Sequence, residues 1–121
     1  MSAKDIVVAF LTSLEARDLP KAASFLAPGA VMTFPDNHKF TSLDQLLAWS
    51  KGRYKFLRKT FKQFDERSEG GVTTVYVHGY LNGEWLDGSP AANIRFLDRF
   101  EIKDGKIIDQ QVWNDLAEFR T

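Results

Sequence analysis

The sequence predicts an α+β fold in which helices pack against one face of a strongly curved antiparallel sheet. Helical patterns occupy the first part of the chain, and long strand patterns fill the second part. The clearest strand pair runs from Asn93 to Asp115 and turns at Asp104-Gly105, a dipeptide typical of tight hairpins. Helices that precede a meander of antiparallel strands pack on one face of the sheet, and the other face meets solvent or a second subunit.

The helical patterns form three segments. Apolar residues recur at three- and four-residue spacing from Ala3 to Asp18, which predicts an amphipathic helix. Pro20 begins a short second helix that ends at Leu26. A third helix begins with Thr41 or Ser42 as its N-cap, and its outer side carries a basic run that we interpret as a solvated face. The run comprises Lys51, Arg53, Lys55, Arg58, Lys59 and Lys62.

The strand patterns lie on both sides of that third helix. A short strand runs from Ala30 to Phe34, and residues 35–38 have turn composition. The segment from Val72 to Leu81 is rich in β-branched and aromatic residues, which predicts a long strand. A polar loop at 82–90 connects this strand to the hairpin, and residues 116–120 are expected to form a last helical turn.

Composition restricts the class of function. A chain of 121 residues with 44% hydrophobic and 26% charged residues fits one globular domain, residues 1–121. Zero net charge argues against a nucleic-acid partner held by phosphate contacts, and the lack of cysteine excludes disulfides and thiolate metal sites. We recognise no metal-ligand spacing, phosphate loop, signal peptide or membrane span. We therefore expect a cytoplasmic protein without metal, cofactor or membrane partner.

Asp98 is the first candidate for chemistry. It lies between Phe96 and Phe100 on the even-numbered face of its strand, which is otherwise apolar. Burial disfavours the charged form of a carboxyl group, so the pKa of Asp98 is expected to rise toward values useful in general acid–base catalysis. The alternative is a structural aspartate that is hydrogen-bonded within the protein.

Tyr76 and His78 are candidates to assist Asp98 from the neighbouring strand. Either side chain would polarise a substrate oxygen if the even-numbered side of residues 72–81 faces the interior. The odd-numbered side is more apolar, so simple alternation favours the opposite orientation. A bulge near Gly79 would exchange the two faces, and the sequence leaves this choice open.

The other candidates would line an aromatic pocket around a ligand. On the last strand, the length of the turn decides which side chains join the apolar face of the preceding strand. A turn with a bulge at Gly105 would bring the amides of this strand inside, where they could orient a ligand oxygen. The predicted ligand-binding residues are Phe96, Phe100, Gln110, Val112, Asn114 and Trp49.

Several segments resemble the nuclear transport factor 2-like superfamily and, within it, the SnoaL-like group of polyketide cyclase-like proteins. The resemblance covers nearly the whole chain and implies a cone-shaped, cystatin-like fold around a deep, mainly apolar pocket. Beside the opening amphipathic helix, it rests on Val77-His78-Gly79 with Gly83 and Gly88, Phe96-Leu97-Asp98-Arg99-Phe100-Glu101, Asp104-Gly105-Lys106-Ile107 and Trp113-Asn114-Asp115.

The resemblance does not imply one function, because this superfamily contains enzymes, binding proteins and transport adaptors. Val112 stands where the epoxide hydrolases of the superfamily carry a carboxylate, so that activity is not expected. Asp36 is nearest to the base of the ketosteroid isomerases, but its Pro-Asp-Asn setting is typical of a turn. We expect a protein that binds a small apolar molecule with an oxygen function, and that isomerises, hydrates, dehydrates or cyclises it without a cofactor. The alternative is a non-catalytic ligand-binding or dimeric interaction module.

The resemblance also implies a homodimer formed through the outer face of the sheet. Arg95 and Arg99, with Trp113 or Gln111, lie on the strand faces opposite the expected pocket. Mixed charge beside a large aromatic side chain is typical of an interface rim, which supports the expected contact.

Overall fold

A computed structural model describes residues 1–119 and has helices in the first half of the chain and four long strands in the second. The helices are α1 (Ala3–Glu15), α2 (Leu19–Ala23) and α3 (Leu43–Lys51). The strands are β1 (Leu26–Phe34), β2 (His38–Phe40), β3 (Phe56–Glu69), β4 (Val72–Glu84), β5 (Pro90–Lys103) and β6 (Lys106–Asn114). Single 3-10 turns occupy Pro35–Asn37 and Leu116–Phe119; Arg120 of the expected last turn lies outside the described residues.

All six strands form one sheet in the order β2-β1-β6-β5-β4-β3. Neighbouring strands are antiparallel except for β1 and β6, which run parallel. The sheet is curled but not closed, which confirms the α+β class and the curved sheet predicted from the sequence; the predicted antiparallel pairing holds for every neighbouring pair except β1 and β6. The parallel pair was not foreseen, because the two strands lie far apart in the chain.

The helices and the inner face of the sheet enclose the hydrophobic core. Phe10 of α1 meets Phe100 of β5 edge to face, with their ring centroids 6.1 Å apart, and both side chains are fully buried. Trp49 of α3 contacts Phe34 in the same manner, and Phe96 is buried on the inner face of β5. The predicted burial of Phe96 and Phe100 beneath the helices is confirmed.

The third helix is shorter than the sequence indicates. The Ser42 hydroxyl accepts a hydrogen bond from the Gln45 backbone N–H and caps the first turn. The helix ends at Lys51, before Gly52, and β3 begins at Phe56. A basic run that was expected to lie along one helix face is therefore divided between α3, a connecting segment and β3.

Three bulges determine which side chains face inward. In β3 the extra residue is Lys62, in β5 it lies near Asn93, and in β6 it is Ile108. The strand β4 itself keeps an unbroken alternation from Val75 to Leu81, with its odd-numbered residues buried. No helix in the described part of the chain is both long and apolar enough to span a bilayer.

Candidate functional site

A cavity of about 110 Å³, here called the inner pocket, lies between α1, α3 and the inner face of the sheet. Its walls are mainly apolar and include side chains from all three helices and from five strands. Apolar cavities of about 150 Å³ admit benzene, so the inner pocket has room for roughly one ring or a short chain. The apolar side chains most relevant below are Leu47, Trp49, Leu57, Leu81, Phe96 and Val112.

Lys59 and Asp98 form an ion pair at the sheet wall of this pocket. Lys59 Nζ donates a hydrogen bond to Asp98 Oδ2 over 2.8 Å. The Asp98 side chain is completely buried, whereas 18% of the Lys59 side chain remains exposed. Lys59 lines the pocket and Asp98 does not. A ligand would therefore meet the ammonium group, with the carboxylate behind it.

The charge on Asp98 is only partly compensated. Burial raises the pKa of this carboxyl above its ordinary value, while the positive charge and the hydrogen bond of Lys59 act in the opposite direction without reversing the shift. The second oxygen, Oδ1, is buried and has no hydrogen-bond partner within residues 1–119. Among the described residues, the hydrogen bond from Lys59 is therefore the single polar contact that this buried carboxyl group makes.

The sheet register explains how Lys59 reaches Asp98. Lys59 lies opposite Leu81 on β4, and Asp98 lies opposite Val77, so the lysine side chain must extend diagonally across β4. Between these two positions stands Gly79, which carries no side chain on that face. Lys59 Nζ also lies 5.0 Å from the centroid of the Phe96 ring, a distance that suits a cation–π contact.

The backbone of Lys59 is fixed from the opposite side of the pocket. Its N–H donates a hydrogen bond to Glu15 Oε1 over 2.6 Å, which connects the end of α1 to β3. Glu15 and Arg17 border the pocket there, while Arg53 and Tyr54 border it near α3. The inner pocket thus has an apolar interior with charged groups along its margin.

Lys59 was not predicted as a site residue, because its place in a basic run indicated a solvated helix face. The signal that indicates its position is the alternation of Leu57, Lys59 and Phe61 on β3, which is a strand period and follows the helix stop at Gly52. A lysine in such an alternation points to the same side as its apolar neighbours.

The predicted ligand-binding residues divide into two groups. Phe96, Val112, Asn114 and Trp49 line the inner pocket. Phe100 and Gln110 share the inner face but lie deeper in the core, where Gln110 Oε1 has no hydrogen-bond partner among the described residues. The bulge at Ile108, rather than one at Gly105, brings the even-numbered residues of β6 inside.

Tyr76 and His78 do not lie near the inner pocket, and the expected grouping with Asp98 needs correction. They pair with Arg99 and Leu97 on the outer face of the sheet, where Arg99 Nε donates a hydrogen bond to Tyr76 Oη over 3.3 Å. The bulge near Gly79 lies in β3 and not in β4, so the two faces of β4 are not exchanged.

Asp36 lies in the turn at Pro35–Asn37, as its setting in the sequence indicates. Its φ is 65°, its side chain is almost fully exposed, and it does not line the inner pocket. This placement gives no support to a role as a pocket base like that of the ketosteroid isomerases.

Comparison with known proteins identifies the fold and a family. The sequence matches the family model of the SnoaL-like domain over residues 7–110. No curated protein matches the sequence. Among solved structures, the chain is similar to a nuclear transport factor 2-like protein of unknown function from Burkholderia pseudomallei, with 22% identity and a TM-score of 0.82. That match covers 98% of this chain and 95% of the other.

Two further structural neighbours contain organic molecules. TerC, which was co-crystallised with polyporic acid, has 17% identity and a TM-score of 0.77, and the match covers 95% of this chain and 92% of TerC. The Orange Carotenoid Protein of Anabaena, which binds canthaxanthin, has 16% identity and a TM-score of 0.70. That match covers 88% of this chain and 35% of the carotenoid protein. Similarity at these identities establishes the fold and not the ligand.

Proposed function

The chain belongs to the SnoaL-like domain family, and we propose that it binds a small, mainly apolar molecule whose oxygen accepts a hydrogen bond from Lys59. The observation that supports this proposal is a lysine ammonium at the wall of an apolar cavity, backed by a buried carboxylate. An ammonium group has three N–H donors. One of them is directed to Asp98 Oδ2, so the others are available to a ligand in the inner pocket.

Charge and volume narrow the class of ligand. The Lys59–Asp98 pair is neutral as a unit, so a neutral carbonyl or hydroxyl group fits beside it better than a second carboxylate. A cavity of about 110 Å³ suits a molecule with one ring or a short chain. TerC, a neighbour of the same fold that was co-crystallised with polyporic acid, supports the view that this fold accommodates organic ligands.

Binding is the leading function, and acid–base catalysis through Lys59 is the second. Asp98 does not reach the pocket, so it is not placed to exchange a proton directly with a ligand. A cofactor-free isomerisation, hydration, dehydration or cyclisation would therefore pass its proton through Lys59, with Asp98 as the positioning residue. The short Lys59–Asp98 contact is the observation that favours this second candidate.

We expect Leu47→Trp to weaken ligand binding by about tenfold or more, because the larger ring would fill a cavity sized for roughly one ring. Leu47 lines the pocket from α3 and is half-buried, so the helix can carry a larger side chain there. Isothermal titration with benzyl alcohol measures the effect. Toluene, which lacks the oxygen, should bind the wild type less tightly, by about 1 kcal/mol for one hydrogen bond.

Leu86→Trp is the matched control for this experiment, because Leu86 is an exposed leucine in a loop away from the inner pocket. It should bind benzyl alcohol as the wild type does. Equal affinities of Leu47→Trp and the wild type for benzyl alcohol, or absence of binding to the wild type, would contradict the proposed site.

We also propose that a second copy of the chain covers the outer face of the sheet. Four large apolar side chains on this face, Tyr76, Tyr80, Leu97 and Trp113, are each more than a third exposed. Arg95 and Arg99 lie among them, and their ion pairs with Asp115 and Glu101 hold the two guanidinium groups in place. Aromatic and arginine side chains are enriched at protein interfaces, which supports a twofold contact here.

Trp113→Asp is expected to convert this dimer to a monomer. In a twofold interface both subunits contribute residue 113, so the substitution would place two carboxylates in the contact. Sedimentation velocity at micromolar concentrations measures the change. Leu86→Asp, which places the same charge on an exposed leucine outside this face, should remain dimeric. A monomeric wild type in that concentration range would refute the proposed assembly.

A further inference from the structure

We propose that Lys59 captures small aldehydes or ketones in the inner pocket as a covalent imine. This inference rests on the proposed binding function and adds a bond between the protein and the ligand. It assigns the ligand class: an uncharged carbonyl compound with one ring or a short chain, in which the oxygen recognised by Lys59 is the carbonyl oxygen.

Lys59 places an amine at the wall of the inner pocket. Among the described residues that line the inner pocket, Lys59 carries the only primary amine, since the other basic side chains there, Arg17 and Arg53, are guanidinium groups. Leu81 and Phe96 lie beside it, and only 18% of its side chain is exposed. An amine that is held at the wall of the cavity keeps a bound carbonyl carbon within reach of its nitrogen.

A proton acceptor lies beside the amine of Lys59. An imine requires that Lys59 first lose a proton, and Asp98 Oδ2 lies 2.8 Å from Nζ. Transfer of that proton leaves an amine and a carboxylic acid, both neutral, and burial favours neutral forms. Burial also raises the pKa of Asp98, which makes its protonated form accessible. The remaining ionisable groups that border the pocket are Glu15, Arg17, Arg53 and Tyr54.

The chemistry balances with these two side chains alone. The lone pair of the Lys59 nitrogen adds to the carbonyl carbon, the C–O π electrons move to oxygen, and that oxygen takes a proton from the nitrogen to give a neutral carbinolamine. Asp98, which contacts the nitrogen but does not line the pocket, then returns its proton to the nitrogen, and the nitrogen passes a proton to the hydroxyl group. The protonated hydroxyl leaves as water while the nitrogen lone pair forms the C=N bond. The products are one water and a Lys59 iminium ion, which pairs with the Asp98 carboxylate as the ammonium did.

Reductive trapping tests the inference. The wild-type protein is incubated with benzaldehyde and sodium cyanoborohydride, and labelled lysines are located by peptide mass spectrometry. We expect Lys59 to be labelled about tenfold faster or more than Lys62, an exposed lysine on the same strand, because the pocket orients the aldehyde beside the amine. Benzyl alcohol in excess should protect Lys59 and leave the labelling of Lys62 unchanged.

Two variants sharpen this test. Lys59→Arg keeps the positive charge beside Asp98 but cannot form an imine, so it should lose the pocket label while Lys62 is labelled as in the wild type. Lys62→Arg should leave the labelling of Lys59 intact. The comparison of Lys59 with Lys62 in the wild type needs no variant, so it remains decisive even where Lys59→Arg fails to fold.

The outcomes separate this inference from the proposed binding function. Binding of benzyl alcohol without preferential labelling of Lys59 would overturn the imine and leave the binding proposal standing. Absence of both benzyl alcohol binding and preferential labelling would overturn the two together. Preferential labelling that benzyl alcohol suppresses supports both.

Discussion

Lys59→Met should lower the free energy of unfolding by about 3 kcal/mol or more at neutral pH, because removal of one member of a buried ion pair leaves the other charge uncompensated. Asp98 is completely buried, and Lys59 is its only hydrogen-bond donor within residues 1–119. Methionine keeps most of the length and apolar volume of the lysine side chain, so the decrease in the free energy of unfolding measures the effect of removing the charge. Urea denaturation measures it.

Two further variants distinguish this explanation from a general loss of packing. Lys62→Met, on the exposed side of the same strand, should change the free energy of unfolding by no more than about 0.5 kcal/mol. The double variant Lys59→Met/Asp98→Val removes both charges and should recover much of the stability, since apolar replacement of a buried ion pair is often neutral. A double variant no more stable than Lys59→Met would show that the ion pair is not the cause.

The same pair predicts a pH dependence of stability. The pKa of Asp98 in the folded protein lies above that of an unfolded aspartate, which is about 4. The folded state therefore binds the proton more tightly, so the stability that this group contributes is complete below about pH 4 and is lost as the pH rises through the folded pKa. Relative to Asp98→Asn, the wild type should lose stability from pH 4 toward neutrality. Lys59→Met should lose more stability over this pH range, because the charge and the hydrogen bond of Lys59, which both lower the pKa of Asp98, are then absent.

Gly79→Ala should be the second most damaging change, with a loss of about 3 kcal/mol in the free energy of unfolding. A Cβ atom at this position would lie 1.9 Å from the Thr60 carbonyl oxygen and 3.1 Å from the Lys62 backbone nitrogen. Both atoms belong to the backbone of β3 beside its bulge, so the strand itself would have to move. Urea denaturation measures the loss, and near-ultraviolet circular dichroism reports whether the aromatic core is disturbed.

Gly52→Ala provides the comparison for this prediction. Its φ is −85°, and the nearest atom to an added Cβ would be 3.8 Å away, which is an ordinary van der Waals contact. We expect a change within about 0.5 kcal/mol. If Gly79→Ala unfolded at the same urea concentration as Gly52→Ala, the close approach of β3 and β4 at Gly79 would be disproved.

Local patterns were sufficient to predict most of the fold. The Asp104-Gly105 turn and the alternation around Phe96 and Phe100 place β5 and β6 correctly, because these signals involve residues close together in the chain. The pairing of β1 with β6 depends on contacts between distant segments and has no local signature. The end of α3 was placed too late, because a basic run after a helix start fits a solvated helix as well as it fits a strand.

The candidate site was predicted in part. Asp98 is identifiable because a charged residue in an apolar alternation needs a partner, but the sequence does not state which partner it has. Lys59 comes from a strand two positions away in the sheet, so only the register reveals the pair. Tyr76 and His78 were candidates because the face of β4 depends on the location of one bulge, and a bulge in β3 leaves no mark on the sequence of β4.

The parallel pairing of β1 with β6 has a consequence for folding during synthesis. On the ribosome, β3, β4 and β5 can form their hairpins as they emerge, because each pairs with its neighbour in the chain. β1 leaves the exit tunnel long before them, yet its parallel partner is the last strand to be made. Until β6 has been made, β1 and β2 cannot join the other strands of the sheet. The helices before them can then pack against only part of the sheet surface that they cover in the folded protein. The nascent chain therefore exposes its apolar N-terminal segment until β6 has been made, and during this interval a chaperone would protect it.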